Sequence, residues 1–459
     1  SLADIYALAE KLSVKSRTDG YILSQVVVPQ QIIDNGLVAL RAVEGFVDQV
    51  IIQSDDGDYL APYAAAIKAS RPLNQKLLEK YMLLLNDLPG VSAQSVLSPS
   101  PTTPGAADLT LTVERKAYDI SLGGDNRGTR YMGPLQVSAG ARLNGFFGRH
   151  DSLSLQLASA PDGQPTREMD FASLGATHPL DHEGTMLTVS GSVTPTAPGY
   201  LLKPLEVRGM VHAYHAEIMH PFLRARSENL HAALKFDYLD TTRVDNLGLD
   251  RIEDRLRVLR LAAAYQLADR FEGNNTLTAE ISRGLDVLGA RPKGSPNMTR
   301  AAGDPEFFKI TAEAVRVQRL AEHLDISVGA TGQWAANPLL ASEEFGVGGS
   351  AYGSAYDSSE ITGRNGLAGR VELRDNNPVV TRLQALQLYG FYDIGKVWDP
   401  ENASARDRIR SLASAGLGLR VMLSAAFSGA AELALPLTRK VETENNKDPR
   451  LFFALAAKF

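Results

Sequence analysis

The chain contains no cysteine, so neither a disulfide framework nor thiolate chemistry is available to it. It has no apolar run long enough for a membrane-spanning helix, and its mean hydropathy is slightly negative. This excludes a helical membrane protein but not a barrel, whose strands alternate in polarity and average out. There is no basic excess either: the formal net charge is -6, which offers nucleic acid no docking surface. The sequence does not open on a leader peptide at Ser1, so a processed or shortened form of a longer chain is expected. What is present is 459 residues, enough for two or three domains or for one large barrel with appendages.

Residues 1–115 carry helical periodicity. Leu2, Ile5, Leu8 and Leu12 share a face beside Ala9. Tyr21–Val28 and Leu37–Val43 read as extended, parted by the breaker Pro29-Gln30-Gln31, and Val47–Gln53 reads as a strand. A short helix is expected at Tyr63–Lys68. The clearest helix bears Leu77, Tyr81, Leu84 and Leu88, widened by Leu78 and Leu85, capped by Asn74 and stopped by Pro89-Gly90. Two strands follow, Val91–Leu97 and Asp108–Val113. The pattern is that of small α+β modules, 1–46 and 47–115.

From Ala117 the helical period gives way to alternation. Leu230, Ala232, Leu234, Phe236 and Tyr238 oppose Asn229, His231, Lys235 and Asp237. Ala415, Leu417, Leu419, Val421 and Leu423 oppose Ser414, Gly416, Gly418 and Arg420. A soluble sandwich alternates too. Runs of about ten residues, however, match a tilted membrane strand. In lipid such strands must close on themselves. At about 20 residues per strand and turn, 116–459 holds roughly 16 strands, an even number with a lumen inside. By parity Gln387, Tyr389, Phe391 and Asp393 face that lumen. The terminal run Leu451, Phe453, Leu455, Ala457, Phe459 faces outward.

Specific motifs carry a resemblance. Gly20-Tyr21-Ile22, Val28-Pro29-Gln30-Gln31, Asn35-Gly36 and Val43-Glu44-Gly45 resemble the close of a first polypeptide-transport-associated (POTRA) domain. Leu85 to Val91 resembles the helix-to-strand turn of a second. Gly124-Asp125-Asn126-Arg127-Gly128 with Gly133-Pro134, Arg283-Gly284-Leu285-Asp286, and Phe391-Tyr392-Asp393-Ile394-Gly395 resemble barrel segments of two-partner-secretion (type Vb) transporters, the haemolysin secretion/activation family. The resemblance covers essentially the whole chain. It implies a mainly β protein: a 16-stranded transmembrane β-barrel after two periplasmic POTRA domains, the first lacking its opening strand and helix.

The same resemblance assigns sites. A long loop at about 340–370 folds into the barrel, with Gly349, Tyr352, Gly353, Ser354, Tyr356, Asp357, Gly363 and Arg364 as its plug or gate. Phe391, Asp393 and Gly395 form its anchor on the wall. The family places an arginine in the loop tip to pair with that aspartate, and this chain has Ser354 there. Arg364, or another lumen arginine such as Arg420, is expected to take its place. Leu77, Tyr81, Leu84, Val91 and Val96 mark the substrate-recognition region. Phe453, Leu455 and Phe459 form the signal read by the barrel-assembly machinery. The implied function is export of an unfolded, secreted β-helical exoprotein across the bacterial outer membrane. An insertase, or less readily a passive porin, is the alternative. The other implied partner is outer-membrane lipid, and the protein is expected to be a monomer.

Other chemistry is set aside. His212, His215, Glu217 and His220 lie on one strand, where His212 and His220 share one face and His215 and Glu217 the other. They line the lumen or an interface and do not converge on a metal. Asp55-Asp56-Gly57-Asp58 could bind a cation or form a solvated turn. No catalytic residue, cofactor or metal is called for.

Overall fold

The computed structural model describes residues 2–33, 36–54, 57–148, 150–161, 167–246, 251–376, 383–400 and 408–459. Asn35 of the first motif and Asp55-Asp56 of the acidic run lie outside them. The front of the chain holds α1 (Leu2–Thr18) and a ribbon of β1 (Gln25–Val27) with β2 (Arg41–Val43). These strands are shorter than the sequence suggested, because each pairs only with the other. Then come β3 (Phe46–Gln53), α2 (Gly57–Lys68), α3 (Gln75–Asp87), β4 (Val91–Pro99) and β5 (Ala106–Arg115).

The sheet order is β3-β5-β4, with β5 parallel to β3 and antiparallel to β4. Leu84 and Leu85 of α3, Leu109 and Leu111 of β5, and Leu60 and Ile67 of α2 are at most 1 % exposed and form the core. Helix α2 starts ahead of the expected Tyr63, since its buried face begins with Leu60. Asn74 caps α3 by accepting from the Lys76 amide at 2.8 Å.

The remainder is a closed antiparallel barrel of 16 strands. They are β6 (Tyr118–Asp125), β7 (Gln136–Asn144), β8 (Ser152–Ala160), β9 (Met169–Pro179), β10 (Met186–Thr196), β11 (Arg208–Arg224), β12 (Glu228–Val244) and β13 (Ile252–Ala268). Beyond these run β14 (Gly273–Gly284), β15 (Phe308–Arg319) and β16 (Leu324–Ala335). A long loop holding its own hairpin, β17 (Phe345–Val347) with β18 (Ile361–Gly363), comes next. The wall resumes with β19 (Asn365–Asp375), β20 (Ala385–Trp398), β21 (Ile409–Met422), β22 (Phe427–Pro436) and β23 (Arg450–Lys458).

Period two decides the faces. Leu234, Leu261, Leu367, Leu417, Leu451 and Leu455 are 51–69 % exposed on the outside, where lipid replaces water. Inside, cross-strand charges pair: His215 Nδ1 lies 2.6 Å from Asp237, and Lys235 Nζ 3.1 Å from Glu280. No converging metal ligands occur among the described residues. The ring closes where β23 meets β6 over only five register pairs, Ala454↔Asp125 to Lys458↔Ser121. The β12–β13 pairing, by contrast, runs from Glu228↔Leu267 to Arg243↔Ile252.

Helix α3 docks on the periplasmic turns of the barrel. Glu183, between β9 and β10, takes Lys80 Nζ at 2.5 Å and the Tyr81 hydroxyl at 2.6 Å. Arg224 holds Asp87 through both carboxylate oxygens at 2.7 Å. Burial and then the Glu183 hydrogen bond push the Tyr81 hydroxyl up to about 12. Burial of Glu183 works against its charge, but Lys80 and Tyr81 outweigh it and hold the carboxyl below its ordinary value.

A carboxyl depressed by folding stabilises above its unfolded pKa and loses that contribution as pH falls through the folded one. Replacing Glu183 by Gln should therefore lower the front module's melting transition at pH 7. The contact is partly exposed, so the loss should be about 1 kcal/mol after solvent screening. Calorimetry should show the difference between the two proteins vanishing once pH falls below the usual carboxylate range.

Candidate functional site

The loop between β16 and β19 turns into the barrel and lodges against the wall. Its base is fixed by Glu343, whose carboxylate lies 2.7 Å from both Arg260 Nη2 of β13 and Lys309 Nζ of β15. Hairpin β17–β18 then carries the tip inward. The tip folds on itself: the Gly348 amide donates to Tyr352 O at 2.8 Å, and the Tyr356 amide to Gly353 O at 2.9 Å. Gly348 and Gly353 have φ of +127° and +106°. A Cβ on Gly348 would stand 2.2 Å from the Asp357 carbonyl, so only glycine allows the tip to close.

The tip is shut away from water. Ser354 and Ala355 are 0 % exposed, Tyr356 2 % and Asp357 6 %. Each makes polar contacts with the wall or the rim. The Ser354 amide donates to Asp393 Oδ2 at 2.8 Å, and Ser414 Oγ donates to the same oxygen at 3.0 Å. Tyr356 Oη lies 3.2 Å from Ala413 O and 3.1 Å from Arg439 O. Asp357 accepts from Thr443 Oγ1 at 2.6 Å and from Arg450 Nη2 at 2.8 Å. On the far side, Tyr352 Oη donates to Glu313 of β15 at 2.7 Å. Gly349 completes the turn by donating to Tyr356 O at 3.2 Å.

The cation beside Asp393 is Arg370, and neither Arg364 nor Arg420 fills that place. Arg370 Nη1 lies 3.2 Å from Asp393 Oδ1 and 2.7 Å from Ser354 Oγ, with its guanidinium 4.2 Å from the Phe391 ring centre. Strand register explains this, because Arg370 and Asp393 are direct cross-strand partners between β19 and β20. Arg364 sits between β18 and β19 and donates from Nε to Ala335 O at 3.1 Å. At the rise of a strand it stands about 20 Å from the position of Arg370. Arg420 instead grips Glu372 at 2.8 Å and Gln387 at 2.6 Å.

The wall beneath the loop is shaped for it. A Cβ on Gly395 would lie 2.3 Å from Val347 Cγ1, so β17 rests on bare backbone there. Gly363 likewise leaves room for Val397, whose Cβ is 3.0 Å from its ideal Cβ position. Tyr389 and Phe391 lie over their partners Gly418 and Gly416 on β21. Glu372 gathers Arg370, Arg374 and Arg420, while Glu432 accepts from Tyr389 and Arg127. Arg370, Glu372, Arg374 and Glu432 went unassigned at the level of sequence. The alternation Arg370-Val371-Glu372-Leu373-Arg374, charged at every second place, was the signal.

The other assigned residues lie elsewhere. Leu84 and Tyr81 are buried in the front module, Leu77 and Val91 pack against its core, and Val96 alone of the five is well exposed, at 65 %. The helix stripe therefore packs the module's core and docks it on the barrel. Phe453, Leu455 and Phe459 point outward at the last strand, with Phe459 edge-on to Phe427.

Removing the guanidinium from a buried pair strands the carboxylate and costs about 3–5 kcal/mol. Arg370→Ala should thus loosen the loop and raise single-channel conductance in planar bilayers, whereas Arg364→Ala should leave it at the parental level. Adding Ser354→Arg to the Arg370 variant should bring the conductance back down. Gly395→Leu should also raise it, by occupying the seat of Val347.

Comparison with known proteins gives the same architecture. The model of the haemolysin secretion/activation protein ShlB/FhaC/HecB family matches residues 105–421, and that of the ShlB-type POTRA domain matches 1–45. Heme/hemopexin transporter protein HuxB of Haemophilus influenzae is 23% identical over 464 residues, covering 99% of this chain and 80% of its own. The solved structure of CdiB from Escherichia coli superposes with a TM-score of 0.81 at 18% identity, covering 100% of this chain and 85% of that one. BamA from Haemophilus ducreyi shares the fold with a TM-score of 0.60 at 12% identity, over 100% of this chain and 94% of the other. With the family model spanning most of the chain, this protein belongs to the haemolysin secretion/activation protein ShlB/FhaC/HecB family, the outer-membrane transporters of two-partner secretion.

Proposed function

We propose that the transporter admits an unfolded, β-helix-forming exoprotein at its periplasmic mouth and passes it outward through the lumen. The in-folded loop must leave its seat for the chain to pass. The observation that carries this reading is the complete burial of Ser354 and Ala355 against the wall by contacts that are all non-covalent. Such a plug can release and reseat without chemistry. At the mouth, a cavity of 700 Å³ lies between Asp87, Pro89 and Gly90 of the front module and Arg142 and Ser154 of the barrel. Strand β4 is an edge of its sheet and exposes Val96, so an extended partner can add there through main-chain hydrogen bonds. Modules 1–46 and 47–115 act as the periplasmic receptor. The outward residues of β23 serve the barrel-assembly machinery during insertion, and the barrel works as a monomer in lipid.

The absence of native cysteine makes a locking test clean. Ideal Gly395 Cβ and Val347 Cβ lie 3.2 Å apart, near disulfide spacing. The double variant Val347→Cys, Gly395→Cys should stop export of the cognate partner when oxidised and regain it on reduction. Unchanged export by the oxidised protein would refute plug displacement. Deleting residues 2–115 should abolish export while a heat-modifiable barrel still inserts, and normal secretion by that truncation would rule out the receptor role.

A further inference from the structure

The barrel closes through its shortest pairing, and the plug tip sits directly beside it. Past Asp125 the β6 backbone leaves the ladder, but Asn126 continues it with both main chain and side chain. Its amide donates to Phe453 O at 3.3 Å, and its Oδ1 accepts from the Phe453 amide at 2.7 Å. Its Nδ2 donates to Leu451 O at 2.9 Å. A carboxamide thus supplies the donor and acceptor that the next stretch of β6 would have offered.

The next residue, Arg127, turns into the lumen. Its Nη1 donates to the plug carbonyl Ser354 O at 3.2 Å and its Nη2 to Glu432 at 2.7 Å. From the opposite side of the seam Arg450, the first residue of β23, donates from Nη1 to the very next plug carbonyl, Ala355 O, at 3.1 Å. Its Nη2 holds Asp357 at 2.8 Å and its Nε lies 3.2 Å from Glu444. Both guanidiniums lie against one ring, Phe452 of β23, at 4.2 and 5.1 Å from its centre.

From this geometry we infer that the plug tip is also the clasp of the closing seam. One arginine from beyond the first strand and one from the last strand hold consecutive peptide carbonyls of the same buried segment. A seated plug therefore bridges β6 and β23 at their extracellular end. Releasing it removes an acceptor from each arginine and leaves the five register pairs, the Ile120–Phe459 backbone pair, Asn126 and the hold of Arg127 on Glu432 and Phe452 to keep the ring closed. Coupling between two sites is reciprocal. Weakening the seam must in turn favour plug release. This rests on the reading that the plug leaves its seat during export, and it adds what happens to the barrel wall when it does.

Hydrogen–deuterium exchange of the full chain in detergent micelles, with bilayer conductance beside it, tests the coupling in both directions. Gly395→Leu touches neither strand of the seam. It should speed amide exchange in Ile120–Asp125 and Leu451–Lys458 by roughly tenfold while leaving β11–β13 unchanged, as a local opening does. Asn126→Ala touches no residue of the plug, yet it should raise conductance above the parental level. If Gly395→Leu does not assemble, deletion of residues 349–358 serves as the plug-free protein. Raised conductance with seam exchange at the parental rate would overturn the inference, as would an Asn126→Ala protein of parental conductance. The oxidised Val347→Cys, Gly395→Cys protein separates the two readings. Export through it would refute plug displacement alone, because the exchange measurement involves no secretion.

Discussion

The hydrocarbon core of a membrane offers no partner to a peptide group, so each amide and carbonyl must be paired within the protein. For strands this leaves closure as the only solution, and the rest of this molecule follows from it. Sixteen strands closed into a ring enclose more space than inward side chains can fill. A ring that wide is a hole in the membrane unless something occupies it. The loop between β16 and β19 does so, and its occupancy depends on polar groups of the lumen wall.

The most costly of those groups is Asp393, fully buried on β20. A carboxylate in that position demands a cation and several donors. The family resemblance places the cation on the loop, whereas here the wall supplies it. Arg370 stands opposite on β19 and reaches both Asp393 and Ser354 Oγ. A small residue at 354 leaves the guanidinium room to lie over Phe391. The electrostatic requirement is met in either arrangement, but the geometry of release differs. In this chain both members of the charge pair belong to the wall, so on the proposed departure of the loop the vacated seat would keep its neutralised carboxylate.

The barrel was legible because its rule is local. Alternation over about ten residues fixes which side of a strand meets lipid, and the opposed faces of Asn229–Tyr238 and Ala413–Ser424 could be read directly. Helix α3 was equally plain from its stripe and its cap. What alternation cannot supply is register, the offset that puts Arg370 against Asp393 while leaving Arg364 near Ala335. Register depends on turn lengths and on all the other pairings at once. The grip of Arg127 and Arg450 on the loop was illegible for a related reason, since it joins positions near the two ends of the barrel sequence. The stripe of Leu77, Tyr81 and Leu84 spoke first of packing. Apolar residues at helical spacing announce burial, and Leu84 and Tyr81 are spent on the module's own core.

Within the loop tip, Ser354 and Ala355 are held largely through their peptide groups. Asp393 reads the amide of Ser354, Arg127 its carbonyl, and Arg450 the carbonyl of Ala355. Such contacts do not depend on which side chain the peptide carries. They ask only that residues 354 and 355 be small enough for the surrounding groups to come close. Selection acting on this segment is therefore selection on volume and backbone shape more than on chemical identity. Homologues that likewise carry the cation on the wall at position 370 should drift among alanine, serine and glycine at these positions, while the distant arginines and the carboxylate that grip them stay fixed.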